Sequence, residues 1–259
     1  MERCETMRHA LTSVLLWFII PALAACGSSD TAKEEPVSAA EEAIVEAETP
    51  EPEKNPASIL YIGHASLRIT TPENRVIYID PYAPGDYSLP ADLILVTHDH
   101  YDHNNVSLIE TRAEDCEVIT RIEALANGEH QTFDLDDVTV EAVEAGNNPN
   151  HSITQCVGYV ITLSDGVKIY VSGDTSATEQ MNEMASMHID YAFFCGDGQY
   201  NMGTAEAAEC AEAVQAAVNV PYHTIVQDGV YFSREQADAF PVTNKVIIEP
   251  GETFSLTAH

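Results

Sequence analysis

The chain holds 259 residues, 45% of them hydrophobic, enough for one sizeable α/β domain or two small ones with a packed core. Its 42 acidic residues against 11 basic ones leave a formal net charge of −31. That excess argues against nucleic acid as a partner, whose binding rests on cationic neutralisation of phosphates, and against adhesion of the protein body to anionic lipid.

The chain opens with Arg3 and Arg8 ahead of the apolar run Leu11–Ile20 and a few small residues, the pattern of an export signal. The run is too short to span a bilayer, and Met7 offers a second start. Leu23-Ala24-Ala25-Cys26-Gly27, placed where the run ends, resembles the bacterial lipobox, whose cysteine is acylated and becomes the first mature residue. The resemblance implies a lipoprotein signal peptide over residues 1–25. It also implies a chain that is exported and lipid-anchored at Cys26 on the outer side of a bacterial membrane. Residues 26–56 are rich in Glu, Ala and Pro, with Lys33 and Lys54 as the only basic residues and almost no large apolar side chains. Such a stretch cannot bury enough surface to offset its ordering entropy, so an acidic, disordered tether is expected.

Residues 57–259 form the expected folded domain. Short β-branched runs bounded by Gly, Pro or Asn predict strands at Ser58–Ile62, Leu67–Thr70, Val76–Asp80 and Leu93–Thr97. Further strands are predicted at Glu117–Thr120, Val138–Val143, Val157–Leu163, Val167–Ser172, Ile189–Phe194 and Lys245–Ile248. Apolar residues at helical spacing predict a helix over Thr204–Val218, capped by Thr204, and shorter ones at Val106–Thr111, Glu179–Met187 and Arg234–Phe240. Of the cysteines outside the signal, Cys116, Cys156, Cys195 and Cys210 show no CxxC spacing; a disulfide and buried free thiols are equally compatible with an exported chain.

The apolar strand Leu93–Thr97 runs directly into His98-Asp99-His100-Tyr101-Asp102-His103. Three imidazoles and a carboxylate at that density are donors suited to Zn²⁺, or to Mn²⁺ and Fe²⁺. Alternation on an extended turn lets His98 and His100 face one ion and Asp102 and His103 a second. The remaining ligands must come from elsewhere: His151 and Asp174 stand after the predicted strands Val138–Val143 and Val167–Ser172, and His223 in Pro221-Tyr222-His223.

The six-residue run resembles the HxHxDH signature of the metallo-β-lactamase superfamily. Tyr61-Ile62-Gly63-His64-Ala65-Ser66 resembles the opening GHAS of the branch that includes L-ascorbate 6-phosphate lactonase and N-acylphosphatidylethanolamine-hydrolysing phospholipase D. Ile79-Asp80-Pro81, Gly158-Tyr159-Val160, Ile169-Tyr170-Val171-Ser172-Gly173-Asp174-Thr175 and Pro221-Tyr222-His223 follow the same order, so the likeness covers nearly all of Ser58–Glu249. It implies an α+β fold, a four-layer αββα sandwich. His98, His100 and His151 would bind a first metal, and Asp102, His103 and His223 a second, with Asp174 bridging. Asp102 and His64 are the candidate catalytic residues, and Asp80 an acceptor holding a ligand histidine. Because Gly146-Asn147-Asn148-Pro149-Asn150 intervenes before His151, His130 and His188 compete for its place. Tyr82, Tyr87, Tyr101, Tyr200 and Tyr222 are candidate pocket residues, and Cys195 a core or turn residue.

The expected function is a metal-dependent hydrolase in which a hydroxide shared by two ions about 3.5–4 Å apart attacks an ester, lactone or phosphodiester of a small molecule or lipid head group. β-Lactam hydrolysis and nuclease action rank lower. A di-iron redox protein would carry a glutamate where His100 stands, and a non-catalytic metal- or ligand-binding surface lipoprotein is the rival from another class.

Overall fold

The computed structural model describes residues 55–259, with the exception of Gln227. The signal peptide, Cys26 and all but the end of the tether lie outside the described residues. Among the described residues no helix is long and apolar enough to cross a membrane.

Two six-stranded mixed sheets face each other. The first contains β1 (Ser58–Gly63), β2 (Ser66–Thr70), β3 (Val76–Ile79), β4 (Ala91–Leu95) and β5 (Arg112–Ile119). The second contains β6 (Thr132–Leu135), β7 (Val138–Glu144), β8 (Val157–Leu163), β9 (Lys168–Val171), β10 (Tyr191–Cys195) and β11 (Val218–Tyr222). The last strand, β12 (Thr253–Ser255), returns to the first sheet, giving the orders β12-β1-β2-β3-β4-β5 and β11-β10-β9-β8-β7-β6. In each sheet one half is antiparallel, and β3-β4-β5 and β9-β10-β11 are parallel.

Period-two alternation explains how the first sheet buries both faces. Ile59, Tyr61, Ile77, Ile79, Leu93 and Leu95 point into the core shared with the second sheet. Their neighbours Leu60, Ile62, Tyr78, Ile94 and Val96 form a smaller apolar layer behind it. Each side chain buried in this way contributes ~1.5–3 kcal/mol. The Tyr159 hydroxyl crosses between the sheets and donates to the Val96 carbonyl at 2.9 Å.

The helices are few: α1 (Arg121–Ala124) after β5, α2 (Thr204–Val214) packed on β10, and α3 (Arg234–Ala239) against α2. The result is an α+β sandwich of two mixed sheets with thin helical cover. The predicted helix Thr204–Val218 stops at Val214 because Gln215 turns left-handed (φ 57°), and Val218 already belongs to β11. Its N-cap is Gly203, not Thr204. Glu179–Met187 forms two 3-10 turns instead of a helix, and Val106–Leu108 another. Lys245–Ile248 forms no strand. It makes a single bridge from Lys245 to Asn219, and its apolar residues pack on the core instead. Cys116, Cys156, Cys195 and Cys210 are all unpaired, so the free-thiol alternative holds.

Candidate metal centre

The strand registers bring the chemistry to one edge of the sandwich. Ile79 pairs with Leu95 across the parallel strands β3 and β4, and Leu67 at the start of β2 pairs with Ile79. The turn carrying His64, the end of β3 carrying Asp80 and the His98–His103 loop after β4 are therefore neighbours. In the second sheet, Val171 lies opposite Tyr159 and beside Phe193, and Cys195 beside Tyr222. That aligns Asp174, Asp197 and His223 past the ends of β9, β10 and β11, with His151 in the β7–β8 connection. Two backbone bonds lock the edges together: Val157 N–H donates to Thr97 O at 3.0 Å and His223 N–H to His64 O at 2.9 Å. Ligand sites at the carboxyl ends of parallel strands are the general rule for such sheets.

His64, Asp80 and His223 all hold left-handed backbone (φ 52°, 44° and 43°), a cost of order 1–3 kcal/mol each that is tolerated where the surroundings fix the conformation. Gly173, just before Asp174, is required: φ is +60°, and a Cβ there would stand 2.8 Å from the Val157 carbonyl.

The imidazole tautomers follow from their partners. Asp80 accepts from Thr97 N–H at 2.8 Å, from the Thr97 hydroxyl at 2.7 Å and from His103 Nδ1 at 2.8 Å. Since the Thr97 proton goes to Asp80, Thr97 Oγ1 must accept from His98 Nδ1, 3.1 Å away. His151 Nδ1 meets Asn148 Oδ1 at 3.2 Å. In all three histidines Nδ1 carries a proton and Nε2 faces the site. The Nε2 atoms of His103 and His223 lie 3.2 and 3.1 Å from Asp174 Oδ1, and that of His151 lies 3.2 Å from Asp174 Oδ2. His151 Nε2 and His100 Nδ1 are 3.2 Å apart, as are the Nε2 atoms of His103 and His223 at 3.3 Å. His98 Nε2 is buried with no hydrogen-bond partner.

A buried carboxylate ringed by imidazole nitrogens is a place for positive charge, supplied by protons in the metal-free chain and by a cation when one binds. The groups His98-His100-His151, His98-His103-Asp174 and His64-Asp102-His103-His223 are each close enough to share an ion. The donor set of neutral imidazoles and carboxylates fits a divalent metal.

Residues 58–223 match the family described as the Beta-lactamase superfamily domain, a span that begins with β1 and ends on His223. The chain belongs to the metallo-β-lactamase superfamily. Among its relatives, a "UPF0173 metal-dependent hydrolase" of Pyrococcus furiosus is 30% identical over 230 residues, covering 76% of this chain and 99% of that protein. The corresponding protein of Methanosphaera stadtmanae is 29% identical over 229 residues, covering 76% and 98%. A Parabacteroides distasonis protein assigned as a metal-dependent hydrolase superposes with a TM-score of 0.61 at 27% identity, over 75% of this chain and 93% of its own. A metallo hydrolase of Ignicoccus hospitalis shares the fold at 20% identity, with a TM-score of 0.62 over 78% and 99%. This membership makes the chain a metal-dependent hydrolase rather than a binding-only lipoprotein.

The hydrolase's electrostatics follow from burial and from Asp174. Burial, reinforced by the other imidazoles, pushes His98 down to about 2 and His64 to about 4, and lowers His151. Burial opposes a proton on His103 and His223 too, but the Asp174 carboxylate overrides it and raises both, with Asp80 helping at His103. Burial would raise Asp174 and Asp102; the facing histidines reverse this and hold both low. His64 Nε2 donates to Asp102 Oδ2 at 3.2 Å, so His64 orients that carboxylate.

These shifts set an acid limit for the metal-free protein. Between pH 6.5 and about 4, His64 and His98 are neutral when folded but take up protons when unfolded. The unfolded chain then binds more protons, so stability falls as pH falls through that window. Asp102 and Asp174 add to the loss below their ordinary carboxylate range. The raised His103 and His223 act oppositely only above pH 6.5, where their contribution is lost as pH rises. The melting temperature of the metal-free hydrolase should drop steadily from pH 6.5 to 4; a flat profile would mean that the imidazoles are not buried as neutral groups.

All seven predicted ligand positions, His98, His100, Asp102, His103, His151, Asp174 and His223, converge here, with His64 beside them. His130 and His188 fall in none of the groups close enough to share an ion. Tyr82, Tyr101 and Tyr200 line a cavity of about 670 Å³ over the site. Tyr87 and Tyr222 do not: Tyr87 bonds the Ala83 carbonyl, and Tyr222 is core, its oxygen accepting from Gly173 N–H. Cys195 is core as well. Sequence reasoning missed Thr97, Asn148 and Asp197. Asp197 lies 3.7 Å from His223 Nδ1 and ties the Gln199 and Tyr200 amides at 2.7 Å. Its signal was present: Cys195-Gly196-Asp197 after β10 repeats the Ser172-Gly173-Asp174 pattern after β9.

Proposed function

We propose that the hydrolase works with two divalent ions, Zn²⁺ in the first place and Mn²⁺ or Fe²⁺ as alternatives. His98, His100 and His151 would hold one, Asp102, His103 and His223 the other, and Asp174 both. The convergence of the Nε2 atoms of His103 and His151 on the two oxygens of Asp174 carries this reading. When bound, such ions acidify water toward neutrality and polarise the bond to be cleaved.

The chain's own residues do the rest. Asp80, Thr97 and Asn148 fix the imidazole tautomers, which keeps the ligand nitrogens aimed without reorganisation. Asp102, ionised and held by His64, orients the attacking water by accepting its hydrogen bond. The Gly63-His64-Ala65-Ser66 opening supports the branch of L-ascorbate 6-phosphate lactonase and N-acylphosphatidylethanolamine-hydrolysing phospholipase D. The reaction is accordingly hydrolysis of an ester, lactone or phosphodiester in a small molecule or lipid head group. The cavity volume lies within the ordinary range for small-molecule sites. Cys26 is the acylated residue that holds the enzyme on the outer side of a bacterial membrane.

Elemental analysis of the purified protein should give about two ions per chain, lost together with hydrolysis of an ester, lactone and phosphodiester panel in a His98→Ala/His100→Ala variant. Metal content and turnover that both survive that change would overturn the reading. Labelling of the whole chain by fatty acid in cells, abolished by Cys26→Ser, tests the anchor; an unlabelled chain removes it.

A further inference from the structure

Among the described residues, no cationic Lys or Arg side chain lines the cavity above the metal centre to meet an anionic group remote from it. Every Lys and Arg side chain among the described residues is committed elsewhere. Arg68 and Arg75 are paired with Asp86 and Asp137, and Arg121 and Arg234 with Asp99 and Glu249. Arg112, Lys168 and Lys245 donate to backbone carbonyls of Val106, Met187 and Phe240. None of them lines the cavity, whose charged members beyond the proposed ligands and His64 reduce to Asp197.

Its mouth is aromatic and aliphatic. Tyr101 and Tyr200, 78% and 57% exposed, stand where the cavity opens to solvent. Tyr82 stands edge-on to Tyr101 at 5.7 Å and to Tyr231 at 5.7 Å, forming a ring-lined wall beside His64. Ile225 and Val226 line the other side. The Gln236 side chain pins this side to the site: its oxygen accepts from Ile225 N–H at 2.7 Å and its nitrogen donates to Asp197 O at 3.0 Å. The wall is thus built in advance of binding, and large rigid rings offer contact area at low entropic cost.

We propose that the substrate is an uncharged carboxylic ester or lactone bearing an apolar or aromatic group, and that the cavity discriminates against substrates with an anionic group remote from the cleaved bond. This rests on the hydrolytic reading above and narrows it. A phosphate or carboxylate away from the reacting carbon would lose its hydration here without a cation to replace it, against the field of a protein with a net charge of −31. In the reaction, water adds to the carbonyl carbon, the C–O bond to the leaving group breaks, and the leaving alcohol or phenol departs with a proton, leaving the carboxylic acid.

Phenyl butyrate and monophenyl glutarate present the same bond, the second with a carboxylate on its far end. For the metal-loaded hydrolase, kcat/KM should favour phenyl butyrate by about tenfold or more. The uncleavable anilides of the same two acids, titrated calorimetrically, should show the same order of affinity. Tyr101→Ala should raise KM for phenyl butyrate with little change in kcat, and Val226→Arg should reverse the preference in favour of the glutarate. Equal or better use and binding of the anionic member would overturn the proposal. Discrimination by the anilides with no cleavage of either ester would leave the cavity's preference for uncharged ligands standing and overturn the ester-hydrolysing reading instead.

Discussion

Exchanging Asp174 for asparagine should strip the protein of bound metal and lower hydrolysis by on the order of 10³-fold or more. The side chain is almost completely buried, and its two oxygens face His103, His223 and His151 at 3.1–3.2 Å. Asparagine keeps the shape, so the Gly173 turn and the strand end are undisturbed. It removes the charge that neutralises cations at the centre and replaces one ligand oxygen by an amide N–H₂, which has no lone pair to offer a metal. The expected pattern is loss of bound metal and turnover with a folded, cooperatively melting chain. Elemental analysis and a thermal melt on the same preparation check it. An Asp174→Asn variant with full metal and full turnover would take Asp174 out of the shared position.

The second large effect is expected at Asp80, which touches no substrate. Asp80→Asn should weaken metal affinity ~10–100-fold, measured by competition with a chelator, while turnover at saturating metal recovers most of its value. The backbone at Asp80 is left-handed, a conformation asparagine accepts, so strain is not introduced. What changes is the direction of one hydrogen bond. An amide has a single acceptor oxygen for the Thr97 amide, the Thr97 hydroxyl and His103 Nδ1, and one donor group is left facing another donor. That mismatch in a fully buried place should also cost ~1–3 kcal/mol of stability. Loss of affinity that saturating metal does not restore would place Asp80 in the chemistry itself.

The sequence was most readable where one short segment carries several signals at once. Leu93–Thr97 is a buried parallel strand, and its continuous apolar run followed by His98–His103 marks both the strand and the site. Short β-branched runs bounded by turn residues likewise marked β1, β2, β7 and β8. Asp197 was hidden because a single acid in a loop looks the same whether it binds water or orients a histidine 3.7 Å away. Thr97 was hidden for the opposite reason: it reads as one more β-branched strand residue, and only the three-way hydrogen bonding with Asp80 and His98 gives it a role. Strand β11 escaped because Pro221 argues against a central strand; it is an edge strand, where proline is tolerated. Lys245–Ile248 failed in the other direction, since its β-branched residues satisfy their burial by packing on the core, with backbone pairing limited to one bridge. The short helical segments Gln180–Asn182 and Met184–Met187 lack the length that makes helical spacing distinct from a chain of turns.

The ligand positions are drawn from both sheets and from chain segments as distant as His98 and His223, while the four cysteines of the domain make no cross-link. Metal seated at this edge would therefore clasp the sandwich where covalent staples are missing. It would close long loops in the folded chain alone, so its binding energy adds to folding by mass action, and the clasp can be undone and remade without redox chemistry. Endurance of the fold would then follow the supply of metal, and a chelator should lower its melting temperature as well as its activity.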